Sequence, residues 1–139
     1  MSLVIDSSLT LSWYFEDERT EASASVLQTV VESGAVAPPL WRIEVANGLL
    51  VAIRRKRIDA AFRDASLMDL AALPVAIDPD TDIHVWSTTL RLADQHRLTI
   101  YDAIYLELAQ RRRLPLATLD EALRAAARAS GVALLGIAP

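Results

Sequence analysis

Short apolar runs alternate with longer stretches of helical periodicity along the 139 residues of this chain. The runs Leu3 to Ile5, Ala35 to Ala37, Val75 to Ile77, Leu116 to Ala117 and Ala133 to Ile137 are strand-sized and bounded by Asp, Pro or Gly. Between them apolar positions recur at helical spacing over residues 8–15, 19–33, 40–56, 59–72, 82–96, 100–112 and 119–129. Strands that alternate with helices predict an α/β fold with a short five-stranded parallel sheet, helices covering both of its faces in three α/β/α layers. The length suits one domain, 1–139. Ligands of such sheets bind beyond the carboxyl ends of the strands, so acids in those positions matter most.

Four acids meet that criterion or approach it. Asp6 directly follows the first strand, with Ser7 and Ser8 behind it and a helical pattern beginning; it also suits a helix N-cap. Asp120 repeats the arrangement after Leu116-Ala117-Thr118. There Thr118 and Glu121 have capping-box spacing, which leaves Asp120 spare. Asp102 opens an otherwise apolar stripe with Tyr105, Leu106 and Ala109, although Thr99 to Asp102 also fits a capping box. Glu44 shares a helix face with Leu40 and Val51, where a carboxylate needs a partner, and Arg42 is not on that face. Two unit charges 4 Å apart repel by about 4 kcal/mol at an effective dielectric of ~20. A pocket of four acids therefore requires protons or a bound cation. Oxygen ligands without Cys or a spaced pair of His favour Mg²⁺ or Mn²⁺ over zinc; His84 and His96 have no metal-ligand spacing.

Composition narrows the field. With 53% apolar residues the chain builds a core, and with no Cys it has no disulfide framework, thiolate site or cysteine nucleophile. Mean hydropathy is +0.26, yet charges interrupt every apolar stretch well short of the ~18 residues that span a bilayer. The start reaches Asp6 with no basic region before it, so a cytoplasmic rather than exported chain is expected, with no membrane partner. A formal charge of −4 argues against nucleic-acid binding through a broad basic face. The local candidates are Arg54-Arg55-Lys56-Arg57 and Arg111-Arg112-Arg113, each also suited to a helix C-terminus. The four glycines are too scattered for a phosphate-binding loop, and no Gly-x-Ser-x-Gly elbow is present.

Val4-Ile5-Asp6-Ser7-Ser8, the helical Glu44, Tyr101-Asp102-Ala103-Ile104-Tyr105-Leu106 and Leu116-Ala117-Thr118-Leu119-Asp120 together resemble the ordered motifs of PIN-domain ribonucleases. The resemblance is to the VapC-type toxins of toxin–antitoxin pairs in particular, and it extends from Leu3 to Ile137. It implies a PIN-like fold and a metal-dependent endoribonuclease. By the same resemblance Asp6, Glu44, Asp102 and Asp120 are the catalytic, metal-binding acids, with Ser8 and Thr118 as polar support. It further implies Mg²⁺ or Mn²⁺ as cofactor, RNA as substrate, a cognate antitoxin as partner and a homodimer. The antitoxin would find an aromatic, acid-rimmed surface at Leu11, Trp13, Tyr14 and Phe15, near Trp41.

Other classes fit less well. A Mg²⁺-dependent phospho-acceptor signalling domain usually needs a Lys near its last strand, and the sole Lys56 lies elsewhere. A haloacid-dehalogenase-type phosphatase needs a second Asp where Ser8 stands. A catalytically silent PIN-type module that only binds RNA or protein is opposed by the retention of all four acids.

Overall fold

The computed structural model describes residues 2–138. In chain order its elements are β1 (Val4–Ile5), α1 (Ser7–Ser12), α2 (Glu21–Ser33), β2 (Ala35–Ala37), α3 (Leu40–Arg54), α4 (Ala60–Ala72) and β3 (Val75–Ile77). There follow α5 (Thr81–His84), a π-helical segment (Val85–Thr89), α6 (Leu90–His96), α7 (Ile100–Arg112), β4 (Leu116–Ala117), α8 (Glu121–Ala129) and β5 (Leu134–Leu135). The α5, π and α6 segments join end to end through right-handed helical residues. They correspond to the single helix expected over 82–96, and the expected three-layer α/β/α architecture is what forms.

All neighbouring strands pair in parallel, in the order β3-β2-β1-β4-β5. The chain winds outward from β1 through β2 to β3, then returns to the other side of β1 for β4 and β5. This reversal between β1 and β4 opens a crevice at their carboxyl ends. The central strand is flanked on both sides and covered on both faces, which is why Leu3, Val4 and Ile5 are all apolar rather than alternating, and all fully buried. Val4 pairs with both Val36 and Leu116, and Ile5 with Ala117.

Local chemistry sets the element ends. Helix α2 begins at Glu21, two residues later than its pattern, because Thr20 and Ser23 close a capping box. It stops at Gly34, whose φ of 79° suits a residue without a Cβ. Strand β5 is shorter than the expected run to Ile137, since Gly136 at φ 106° turns the chain away from the sheet.

Two expectations need correction here. The two tryptophans of the aromatic surface expected at the end of the first helix belong to the core, while Tyr14 stays half-buried and lines a groove with Phe15. Trp13 is 5% exposed and its indole donates to the Ser23 carbonyl at 2.8 Å. Trp41 is equally buried and donates to Thr10 Oγ1 at 2.9 Å, while Phe15 lies under the Arg57 guanidinium, 4.3 Å from its centroid. Each indole N–H needed a partner on burial and found one, which holds the rings inside. The second correction concerns Arg111 and Arg112 as nucleic-acid contacts; Arg113 is exposed and makes no ion pair among the described residues. Arg111 and Arg112 are committed to Asp78, a fully buried carboxylate just after β3, and Arg111 also pairs with Glu107.

Candidate active site

The register of β1 on β4 brings the residues just beyond them together. Asp6 N donates to the Ala117 carbonyl, and the Thr118 hydroxyl donates to Asp6 Oδ2. Asp6 is also the N-cap of α1, its Oδ1 accepting from Leu9 N at 2.9 Å. Ser8 Oγ donates to both Asp6 oxygens, at 2.8 and 2.9 Å. The same two hydroxyls accept from the turn after β4, Ser8 Oγ from Leu119 N and Thr118 Oγ1 from Asp120 N, each at 3.0 Å. Ser8 and Thr118 thus tie the ends of two neighbouring strands together around a buried carboxylate. Burial pushes the Asp6 carboxyl up to about 6 despite the hydrogen bonds from Thr118, Leu9 and Ser8 that pull it down, and Asp102 adds to the rise.

Asp120 caps α8 itself, Oδ1 accepting from Leu123 N at 2.8 Å. The expected capping box of Thr118 with Glu121 does not form, because the chain stays extended through Asp120 and Thr118 is turned inward to Asp6. Asp120 is therefore not spare, but its second oxygen has no protein donor among the described residues.

Asp102 sits in the first turn of α7, whose N-cap is Thr99; the Thr99 hydroxyl accepts from Asp102 N at 3.1 Å. Its own carboxyl is half-buried and pushed up to about 6, first by burial, then by the charges of Asp120 and Glu44. Since Asp102 also raises Asp6, it is the acid through which all four feel one another. Glu44, also half-buried, has the partner it was expected to need, and that partner is neutral. Its Oε1 accepts from Tyr105 Oη at 2.6 Å and from Ser7 Oγ at 3.3 Å.

No ion pair among the described residues involves Asp6, Glu44, Asp102 or Asp120. Arg124, which feels the charge of Asp6, spends its guanidinium on the carbonyls of Thr118 and Leu135. Among the described residues no three acids or His meet closely enough to form a ready-made ligand shell. The donor set nonetheless fits a hard divalent cation. It consists of carboxylates alone, mutually repelling, and among the described residues it has no basic partner and retains free oxygens on Asp102, on Asp120 and at Glu44 Oε2.

The signs of these shifts predict a pH dependence. A folded carboxyl near 6 against an unfolded value near ~4 keeps a proton that the unfolded chain has released, so metal-free stability falls as pH rises from about 4 to about 6 and levels off above. Asp102→Asn removes one such group without removing a cap. Its melting temperature without metal should exceed that of the parent by a few degrees at pH 7.5 and approach it at about pH 3.5, below the unfolded value; scanning calorimetry at both values checks this.

Sequence reasoning placed the four acids, Ser8 and Thr118, and the structure brings all six to the β1/β4 crevice or its border. It missed Ser7 and Tyr105 as partners of Glu44. The signal for Tyr105 is its i, i+3 spacing from Asp102, which fits a core stripe equally well.

A doubly wound α/β domain with unpaired carboxylates at its switch point is the arrangement found. The PIN domain family matches residues 3–129, and this chain belongs to that family. It is 30% identical over 123 residues to ribonuclease VapC3 of Pyrobaculum aerophilum, an alignment that covers 88% of this chain and 92% of that protein. The crystal structure of PAE2754 from Pyrobaculum aerophilum superposes with a TM-score of 0.70 at 25% identity, covering 96% of this chain and 83% of that one. That of FitAcB from Neisseria gonorrhoeae superposes with a TM-score of 0.64 over 96% of each chain, a likeness of fold at 15% identity.

Proposed function

We propose that this chain is a divalent-metal-dependent endoribonuclease that hydrolyses RNA phosphodiester bonds, and that it is the toxin of a toxin–antitoxin pair. The observation that carries the reading is the crevice itself: four acids around the ends of β1 and β4, coupled through Asp102 and in no ion pair among the described residues. Similarity to ribonuclease VapC3 over most of both chains supports the choice of RNA.

Asp102, Asp120 and Glu44 would hold Mg²⁺ or Mn²⁺ through their free oxygens, with Asp6 behind them. When bound, such a cation supplies charge neutralisation at a phosphodiester and makes water acidic enough to attack near neutral pH. The protein's own groups do the positioning. Ser8 and Thr118 fix the Asp6 carboxylate against the β4–α8 turn, and Tyr105 with Ser7 fixes Glu44. Single-stranded or looped RNA suits an acidic crevice better than a duplex, whose second strand would bring more phosphates to it. Of the basic residues singled out, Arg54, Arg55, Lys56 and Arg113 are exposed and make no ion pair among the described residues, so they are the ones free to meet the RNA backbone.

The antitoxin surface follows the correction of the aromatics. With Trp13 and Trp41 in the core, the groove of suitable chemistry is the one lined by Tyr14, Phe15, Ile58 and Phe62 and rimmed by Asp17 and Arg57. Self-pairing has apolar surface available in Ile83, Trp86 and Leu90, of which Trp86 is 93% exposed. Sedimentation at micromolar concentration should show a dimer.

The test is cleavage of single-stranded RNA by purified protein. Activity should vanish in EDTA and return with Mg²⁺ or Mn²⁺. EDTA-resistant cleavage would sink the metal mechanism, and no cleavage with either ion would favour a silent binding module.

A further inference from the structure

The reading of Glu44 as a metal ligand leaves open what sets its carboxylate, and the contact between α3 and α7 answers that. We propose that Tyr105 is a positioning residue: its hydroxyl, assisted by that of Ser7, occupies Oε1 of Glu44 and presents Oε2 as the one oxygen of that carboxylate free to bind a divalent cation. This inference rests on the metal-site reading above and extends it to residues that no carboxylate motif names.

Three observations carry it. Tyr105 is 1% exposed, so its ring is fixed by packing and its hydroxyl has one place to go. That place is Glu44 Oε1 at 2.6 Å, the length of a charge-assisted O–H···O⁻ bond, one of the stronger kinds a protein makes. Ser7 Oγ donates to the same oxygen at 3.3 Å, while Oε2 receives no donor among the described residues. Glu44 and Tyr105 are 61 residues apart on different helices, so the bond also fixes the spacing of the α3 acid from Asp102, one turn before Tyr105 on α7. A free Glu would have to give up its rotamer freedom each time it bound a cation; a latched one has already done so.

The alternative role for Tyr105 is only to satisfy its own buried hydroxyl, and Mn²⁺ binding separates the two. Isothermal titration with Mn²⁺, in the absence of RNA, is run on the wild-type chain, Tyr105→Phe, Glu44→Ala and the double variant. Tyr105→Phe should weaken Mn²⁺ by about tenfold, the scale of a lost outer partner of a metal ligand. In the Glu44→Ala background the same change should cost nothing further, because the group it acts through is gone. RNA cleavage by Tyr105→Phe should be recovered at high Mn²⁺. Unchanged Mn²⁺ affinity in Tyr105→Phe, with Glu44→Ala weakened, overturns the latch while leaving the metal site standing. A further tenfold loss in the Glu44→Ala background also overturns it. A wild-type chain that binds no Mn²⁺ overturns both the latch and the metal site. If Tyr105→Phe does not fold, Ser7→Ala is read in its place. A loss of about threefold, again absent without Glu44, supports the latch, and no loss overturns it.

Discussion

Asp102→Ala should lower kcat/KM for metal-dependent RNA cleavage by about 10²–10³-fold, equivalent to roughly 3–4 kcal/mol of transition-state stabilisation, with the fold intact. The reasoning rests on how little else Asp102 does. Its helix is capped by Thr99, so the carboxyl carries no cap, and no ion pair among the described residues uses it. Yet it is held half-buried at the crevice where Asp120 and Glu44 push its proton affinity up. A side chain that costs stability and serves no local structural purpose is where a binding function is most cleanly tested. Asp6→Ala should be as inactive but harder to interpret, because it also removes the α1 cap and the acceptor of Ser8 and Thr118. The measurement is RNA cleavage across a Mg²⁺ or Mn²⁺ titration, with circular dichroism to confirm folding. Activity within tenfold of wild type at saturating metal would remove Asp102 from the site.

The largest stability effect outside the crevice is expected at Arg111. Asp78 is fully buried and receives Arg111 through both terminal nitrogens, at 3.2 and 2.7 Å, Arg112 at 3.0 Å and the Thr81 hydroxyl at 2.7 Å. Burial alone would raise its carboxyl, but these bonds reverse the effect and hold it well below the usual carboxylate range. Arg111 also forks onto buried Glu107. Arg111→Ala strips both acids of their main partner and should destabilise the chain by about 3 kcal/mol, the lower end for breaking a buried pair, since Arg112 remains on Asp78. That is roughly 10 °C in melting temperature for a chain of this size. Arg111→Lys should fall between, because a point charge cannot reproduce the fork. The sign with pH is fixed by the lowered carboxyl. The wild-type contribution is complete above the unfolded Asp value near ~4 and is lost as pH falls through the folded value. The gap between wild type and Arg111→Ala should therefore be full at pH 7 and shrink in acid, as followed by thermal melts at both pH values. A gap below about 1 kcal/mol at pH 7 would mean that solvent or Arg112 compensates.

Much of this protein is written in short-range sequence. Apolar runs of two to five residues fixed where the strands fall, and helical spacing fixed the segments between them, because both depend on neighbours within a turn or two of chain. Asp6 and Asp120 were visible as acids that end a strand, and Glu44 as an acid on an apolar face in need of a partner. Tertiary structure decided what those residues meet. It alone put β4 beside β1 and so joined Asp6 to Thr118 across 112 positions, gave Glu44 a phenol instead of a cation, turned Trp13 and Trp41 inward, and drew Arg111 from a plausible RNA contact onto Asp78. The physical reason is common to all four. Period and capping are set by local backbone geometry, whereas the partner of a buried polar or charged group is set by whatever distant element packs over it.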